Sequence, residues 1–463
     1  MQEAPQDKRR VGEDFSGTVV VLLDEQVPPG TDDTLLVHAR RSGLDQLVEL
    51  LLALGNPPTE RQVTSVRVQE LVEAERARLD GLFPPLRSLT RYWRVDVVEV
   101  GVRVEDAVAR LRDVRGVALA YGELVVTDPV VTPGDDPLFV DQGYLRPAPD
   151  GVDAVAAWGF RGGRGEGVRF VDVEEAWRWT HEDLDALGVT LLCNTNRDGR
   201  NGFPGDHGNA TLGVVAGVDN TVGVVGIAPR LDRVLVASHF KQKGYYVVDA
   251  LAAVGTVVRS GDVVLLEVQR AGLPTETQLA DFDAIRFVAG VGSPDPGIGA
   301  VVVEAAGNGD DTDGVDLDVP QGAPAANTQW WAGRTADSGA VLVGAGRSQA
   351  VDGGHECRRE SNFGADVHCH AWGDGVVTAA AAGYMKGFGG TSAASAIVAG
   401  VAAVLQGMHR AAHGVPLGAT ALRALLADPA LGTPQRTPPD HPVGSMPDLR
   451  KLAAAIGAVP EGP

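Results

Sequence analysis

Residues 387–400 read GFGGTSAASAIVAG: a Gly-Gly-Thr turn, then Ser392, then a run of small residues that predicts a helix. A serine at a helix start lies among free backbone N–H groups and the positive end of the helix dipole. Both can stabilise the negative charge that develops when a hydroxyl attacks a carbonyl. Taken alone, the segment is equally a serine N-cap before a core helix, so its chemistry depends on partners elsewhere in the chain.

Three further segments supply them. Residues 206–217 read DHGNATLGVVAG and place His207 at the start of another small-residue helix. Neutral imidazole suits the task of taking a hydroxyl proton near pH 7, although a lone His before Gly is also a common turn residue. Residues 168–184 read VRFVDVEEAWRWTHEDL, with Asp172 at the end of an apolar strand, where a carboxylate either holds an imidazole or caps a turn. Residues 301–309 read VVVEAAGNG, and Asn308 at that strand end is either an uncharged donor for a transient oxyanion or part of an Asn-Gly turn. Four such motifs, each at a strand end or helix start, make coincidence a poor explanation.

The apolar β-branched runs 168–171, 233–237, 263–266, 300–303 and 340–343 alternate with small-residue helical stretches. That alternation predicts an α/β fold, a mostly parallel sheet with helices on both faces and active residues at the carboxyl ends of the strands. Before it, residues 16–131 read as a small α+β unit: strand 18–23, helix 44–54, strand 92–100, helix 104–114 and strand 118–126. Residues 129–137 carry Pro, Gly and Asp without periodicity and form the joint. The expected division is a polar tail 1–13, the α+β domain 14–131, a linker and entry segment 132–160, the α/β domain 161–457 and a tail 458–463.

Forty Lys plus Arg against 61 Asp plus Glu leave a net charge of −21 over 463 residues, which argues against nucleic acid or an anionic membrane as partner. With 44% hydrophobic residues the chain can bury substantial cores. The first apolar run, 19–23, is too short for a signal-peptide core, and the longest, 393–405, is too short for a membrane span. A cytoplasmic location, or export without a classical signal, follows as the expectation, and a monomer is expected. Cys193, Cys357 and Cys369 are too few and scattered for a disulfide framework; a bridge between Cys357 and Cys369 is left open.

From about residue 135 to 456 the chain resembles the subtilisin-like serine peptidases, or subtilases. The resemblance rests on DDPLF at 135–139, the aspartate strand, HG followed by a helix ending in AG, VGIAP at 225–229, AAGN and GTSAAS. It implies Asp172 as the orienting acid, His207 as general base and acid, Ser392 as nucleophile and Asn308 as oxyanion donor beside the Ser392 N–H. It implies a serine endopeptidase acting on protein or peptide, with no cofactor required and no metal ligand assigned. The alternative is a catalytically silent peptide-binding module of the same fold, and a third reading is an esterase or acyl transferase using the same triad.

Three positions depart from the family pattern. Asp172, Val173, Glu174 stand where DTG or DSG is usual; Asn209 replaces a threonine after HG; Ala396 stands where proline commonly follows Ala-Ser. Glu174 is expected to turn outward beyond the strand end; facing inward, it would raise the imidazole pKa. The family's peptide-binding edge corresponds here to Glu267, Val268 and Gln269, with Ala305, Ala306 and Gly307 across the groove. Glu267 there would favour a basic residue near the scissile bond. Residues 16–131 resemble the inhibitory prodomains that precede subtilase domains, implying self-cleavage between 125 and 136.

Many subtilases bind calcium. Asn194, Asn196 and Asp198 before Gly199 have the alternate spacing of a calcium loop, but Gly205 stands where a bidentate Glu belongs, and the acidic stretch 310–318 reads as a solvated loop. Calcium therefore stays unassigned. His181 reads as local structure, and the alternation through His368, Cys369 and His370 splits their side chains between two faces, against a zinc site.

Overall fold

The computed structural model describes residues 15–29, 32–61, 63, 68–69, 72, 88–124, 136–194, 206–241, 244–291, 299–319, 331, 334–436 and 441–461. The chain divides into two compact units, 1–130 and 131–463. The expected self-cleavage segment lies almost wholly outside the described residues, as does most of the 194–205 stretch.

In the first unit, β1 (Phe15–Leu23), α1 (Leu35–Arg41), α2 (Asp45–Ala53), β2 (Thr59–Arg61), β3 (Tyr92–Asp96), α3 (Val104–Arg112) and β4 (Val117–Leu124) follow in order. The strands form one antiparallel sheet, β2-β3-β1-β4, the ferredoxin-like order. Alternate residues Val19, Val21 and Leu23 of β1 join Trp93 and Val95 of β3 and the apolar stripe Val104, Ala107, Val108 and Leu111 of α3 in one core. The three-residue β2 is too short for a period-2 signal, and α1 also escaped the sequence reading.

The second unit is built on a seven-stranded parallel sheet. Its strands are β5 (Arg169–Glu174), β6 (Thr190–Cys193), β7 (Arg233–Ser238), β8 (Val263–Leu266), β9 (Val301–Ala305), β10 (Val341–Gly346) and β11 (Cys369–Trp372), in the spatial order β11-β10-β9-β8-β5-β7-β6. The five expected runs are all strands of it. Helices α4 (Asp206–Ala216) and α7 (Gly390–His413) cover one face; α5 (Val247–Gly255) and α6 (Leu279–Ala289) cover the other.

Strict alternation sorts the side chains between those faces. Phe170, Val236, Leu265 and Val303 meet α4 and α7, whereas Val171, Val173, Ala237 and Leu266 meet α5 and α6. Helix α7 is long and apolar enough to cross a membrane, but that stretch is 94% buried inside the protein, as a core helix is. Residues 136–160, expected as a linker and entry segment, belong to the second unit, and Tyr144, Leu145, Val152 and Trp158 are buried in the same core as the sheet.

The strand order turns at β5. The chain goes from β5 to β6, back to β7, and then crosses to β8 on the other side of β5. In open α/β sheets the crevice at the carboxyl ends of such strands is where ligands bind. Glu174 ends β5, and Glu267 immediately follows β8, in the neighbouring register (Leu266 opposite Val173).

Candidate active site

Period-2 geometry decides the acids. Strand β5 continues through residue 174, so Asp172 and Glu174 share the face of Phe170, the one covered by α4 and α7. The expectation that Glu174 turns outward is therefore corrected: its side chain is buried and its carboxylate Oε1 hydrogen-bonds Nδ1 of His207 at the start of α4. The role assigned to Asp172 is corrected with it. Asp172 Oδ2 accepts instead from Trp177 Nε1 (2.8 Å) and from Thr211 Oγ1 (3.0 Å), one turn along α4 from His207, and Oδ1 has no hydrogen-bond partner. The longer Glu174 side chain, one strand repeat nearer the helix start, reaches the imidazole first.

The electrostatics follow. Burial pushes the Asp172 carboxyl up to about 8, with the Glu174 charge adding to it. Glu174 is also desolvated, yet the imidazolium beside it holds its pKa below the ordinary value. His207, whose side chain is 49% exposed, is pushed up to about 9: desolvation works against its charge, but the Glu174 carboxylate outweighs it by attraction and hydrogen bonding. An imidazole with that pKa is neutral in only about one molecule in a hundred at pH 7.

His207 projects from a helix start fixed by close packing. A side chain on the next residue, Gly208, would lie 2.3 Å from the Ala176 carbonyl, so only glycine fits there. Asn209, in place of the usual threonine, is buried and bonds the backbone of Arg178 through both amide atoms and the Ala380 carbonyl, which fixes the neighbouring loop to α4. The imidazole stands edge-on to Phe388, with ring centroids 5.4 Å apart.

Ser392 lies in the first turn of α7, half-buried. Asn308 is anchored to the same turn: its Oδ1 accepts from Thr391 N (2.9 Å) and Thr391 Oγ1 (3.0 Å), which leaves the Nδ2 donors for another acceptor. Gly390 has φ +71°, and a side chain there would press to within 3.0 Å of Asn308 Oδ1, so the glycine before the Thr-Ser pair suits both the backbone turn and the seat of the Asn308 amide. Gly307 N donates to Thr391 Oγ1, closing the loop onto α7. Among the described residues no hydrogen bond joins His207 to Ser392.

Glu267 is the group whose surroundings the sequence reading missed. It is 7% exposed, and its Oε1 accepts from Ser395 Oγ at 2.5 Å. Burial pushes its carboxyl up to about 8, against the pull of His207. A cavity of about 530 Å³ is lined by Glu174, His207, His239, Tyr245, Glu267 and Gln269 among others, including Val268. The expected substrate residues thus divide: Glu267, Val268 and Gln269 line this cavity, whereas Ala305 and Ala306 are interior and do not, and Gly307 braces the Asn308 loop.

Glu174, His207 and Glu267 present ligand-type atoms within 4.8 Å of one another. The hydrogen bond to Glu174 occupies His207 Nδ1, which leaves Nε2 as the ring atom a cation could take. Elsewhere, His181 bonds the Gly383 carbonyl (2.7 Å) and the Asp183 N–H, a local structural role. His355 bonds the carbonyls of Arg347 and Pro149, His370 that of Gly444, and Cys193, Cys357 and Cys369 are free thiols. Asp310 caps the turn at Thr312 and Asp313, and Asp313 pairs with Arg359.

No family model matches the chain. Among solved structures, a protease from Pseudoalteromonas arctica matches with 21% identity, covering 70% of this chain and all of that one, at a TM-score of 0.50. The prenylagaramide maturation protease PagA matches at 18% identity over 65% of this chain and 98% of that one (TM-score 0.47). A cold-adapted subtilisin-like serine proteinase matches at 20% identity over 61% and 88% (TM-score 0.41). The second unit has the subtilisin-like α/β fold, with the small antiparallel sheet preceding it.

Proposed function

We propose that this chain is a serine endopeptidase in which Ser392 attacks the peptide carbonyl, His207 transfers protons, Glu174 holds and charges the imidazole, and Asn308 Nδ2 with the Ser392 N–H receives the oxyanion. The observation that carries the reading is the pairing of two helix starts over the sheet's switch point: an imidazole fixed by a buried carboxylate on α4, and on α7 a serine whose neighbour Thr391 orients the oxyanion amide. The proteases of the same fold support it. Asp172 supports Trp177 and Thr211 and is left out of the triad.

The first unit is proposed as the inhibitory prodomain. A sheet dominated by non-local parallel pairings closes long loops before it gains contacts, so a separately folded partner can speed its formation.

Both readings are tested by incubating the full chain and its Ser392→Ala form with a denatured protein, a fluorophosphonate probe and, after storage, intact-mass measurement. The wild type should be labelled, cleave the protein and lose its first unit at a cut between 125 and 136. The variant should do none of these, with cleavage down by roughly 10⁵-fold or more. Absence of label and cleavage in both proteins would favour the silent binding module; ester turnover without peptide cleavage would favour the acyl transferase.

A further inference from the structure

We propose that Glu267 is the proton acceptor for Ser392, and that His207, held as an imidazolium by Glu174, is the proton donor to the leaving amine. The inference rests on the peptidase reading above and divides between two groups the work that one imidazole was expected to do.

Glu267 is placed for it. Its backbone N–H is hydrogen-bonded to the Val173 carbonyl (3.3 Å), which fixes it beside the end of β5. Ser395 and Ser392 are three residues apart on α7 and share one helix face, so the 2.5 Å bond from Ser395 Oγ to Glu267 Oε1 draws the carboxyl over the nucleophile's turn. The Ser392 hydroxyl is among the groups that act on the Glu267 carboxyl. Glu267 Oε2 is buried and has no hydrogen-bond partner, an arrangement that costs stability and calls for a function. His207 has its Nδ1 on Glu174, and among the described residues its Nε2 makes no hydrogen bond to Ser392.

The protons balance around the cycle. As the Ser392 Oγ bond to the carbonyl carbon forms, its proton passes to Glu267 Oε2, and the oxyanion collapses with cleavage of the C–N bond while His207 protonates the departing amine. The acyl-enzyme then holds neutral Glu267 and neutral imidazole. Water attacks the ester carbon and gives its proton to His207; the C–O bond breaks and Ser392 Oγ recovers its proton from Glu267. Carboxylate and imidazolium are restored, and no other reactant is consumed.

The groups facing Glu267 set its working range. Glu174, with Asp172 behind it on β5, disfavours its ionisation; His207 on α4 and the two serines on α7 favour it; Arg270 on its own loop is paired with Asp281, and burial holds His239 toward its neutral form. Ionised Glu267 and charged His207 therefore coexist chiefly between about pH 8 and about pH 9.

The test is the pH profile of kcat/KM on a quenched-fluorescence peptide for the full chain, Glu267→Gln and Ser395→Ala, with fluorophosphonate labelling alongside. The wild type should give a narrow bell with flanks near 8 and 9. Glu267→Gln should lose roughly 10²–10⁴-fold at pH 8.5. Its residual rate should rise with pH through the imidazole pKa, which lies below the wild-type value of about 9 once the Glu267 charge is gone, because only neutral imidazole can then serve as base. Ser395→Ala, which removes a donor to the carboxylate, should move the acid flank to higher pH and leave the alkaline flank in place.

A wild-type profile in Glu267→Gln, or an unmoved acid flank in Ser395→Ala should the first variant fail to fold, overturns the proposal. A wild type that is labelled and active but rises monotonically with pH also overturns it while leaving the peptidase reading intact. No label or cleavage from pH 6 to 10 overturns both.

Discussion

Two groups of buried carboxyls sit on opposite faces of the same sheet. On the α4 and α7 face, Asp172, Glu174 and Glu267 surround His207. On the α6 face, Glu304 of β9 accepts from the Glu276 N–H (3.1 Å), and one oxygen of each of these acids is buried without a partner. Burial acts first on every one of them. In the second group the nearest charges are mostly other acids, and both pKa values rise. In the first, an imidazole in hydrogen-bond contact keeps Glu174 below its ordinary value and so separates its behaviour from that of Asp172, two residues away on one strand. A buried acid becomes chemically useful when a cation decides which member of the group stays ionised, and the cavity of about 530 Å³ is lined by Glu174, His207 and Glu267 of the first group.

The sharpest way to break the comparison is within β5. Glu174→Gln removes the charge that holds the imidazolium and should lower kcat/KM by roughly 10²–10⁴-fold, the range of a lost acid–base or orienting group. Asp172→Asn, which keeps a side chain for Trp177 and Thr211 to bond, should cost less than about tenfold. The reverse ranking in steady-state peptide hydrolysis would return Asp172 to the triad. In Glu174→Gln the imidazole pKa should also fall toward its ordinary value, because the largest favourable influence on its charge is gone. Two-dimensional NMR of the histidine ring reads that directly.

A smaller effect belongs to Asn308. Its amide oxygen is bound to Thr391, so Asn308→Ala loses the donor to the oxyanion and loosens the first turn of α7 together. Loss of one preorganised donor should reduce kcat by roughly 10²–10³-fold with KM little changed, since the oxyanion exists only in the transition state. Asn308→Asp keeps the shape and removes the donors, and it should do no better than alanine. A loss confined to KM would assign Asn308 to substrate binding.

Much of this architecture was legible in the sequence. The apolar β-branched runs gave five strands of the large sheet, because strands buried on both faces are continuous hydrophobic segments, while Thr190–Cys193, which is only partly buried and lies at the sheet edge, left no such trace. His207, Asn308 and Ser392 stand at helix starts and strand ends as their motifs implied. The acids were harder. Residues 172–174 carry the sequence of a strand that does not stop at the aspartate, and the same period-2 rule that set the sheet's faces would have put Glu174 beside Asp172; expecting the strand to end at Asp172 hid it. Glu267 was legible as an edge residue but not as a partner of Ser395, since that contact joins residues 128 apart.

The smallest expected change comes from the second acidic group, and it concerns stability. Glu304 has its pKa raised well above the ordinary carboxyl value by burial and by Glu276. A carboxyl raised in the folded state contributes stability that is fully present below its unfolded pKa and is lost as the pH climbs toward and through the folded one. Glu267 and Asp172, both at about 8, act with the same sign. So does His207, whose contribution is complete below about 6.5 and gone above about 9. The melting temperature of the wild type should accordingly fall as pH rises from about 5 to 9. Glu304→Gln, close in shape to the neutral acid, should flatten part of that fall and leave kcat/KM within about twofold. Differential scanning calorimetry across that range, with peptide hydrolysis on the same samples, separates the two faces: a Glu304→Gln protein that melts normally but no longer cleaves would mean that the α6 face takes part in the chemistry after all.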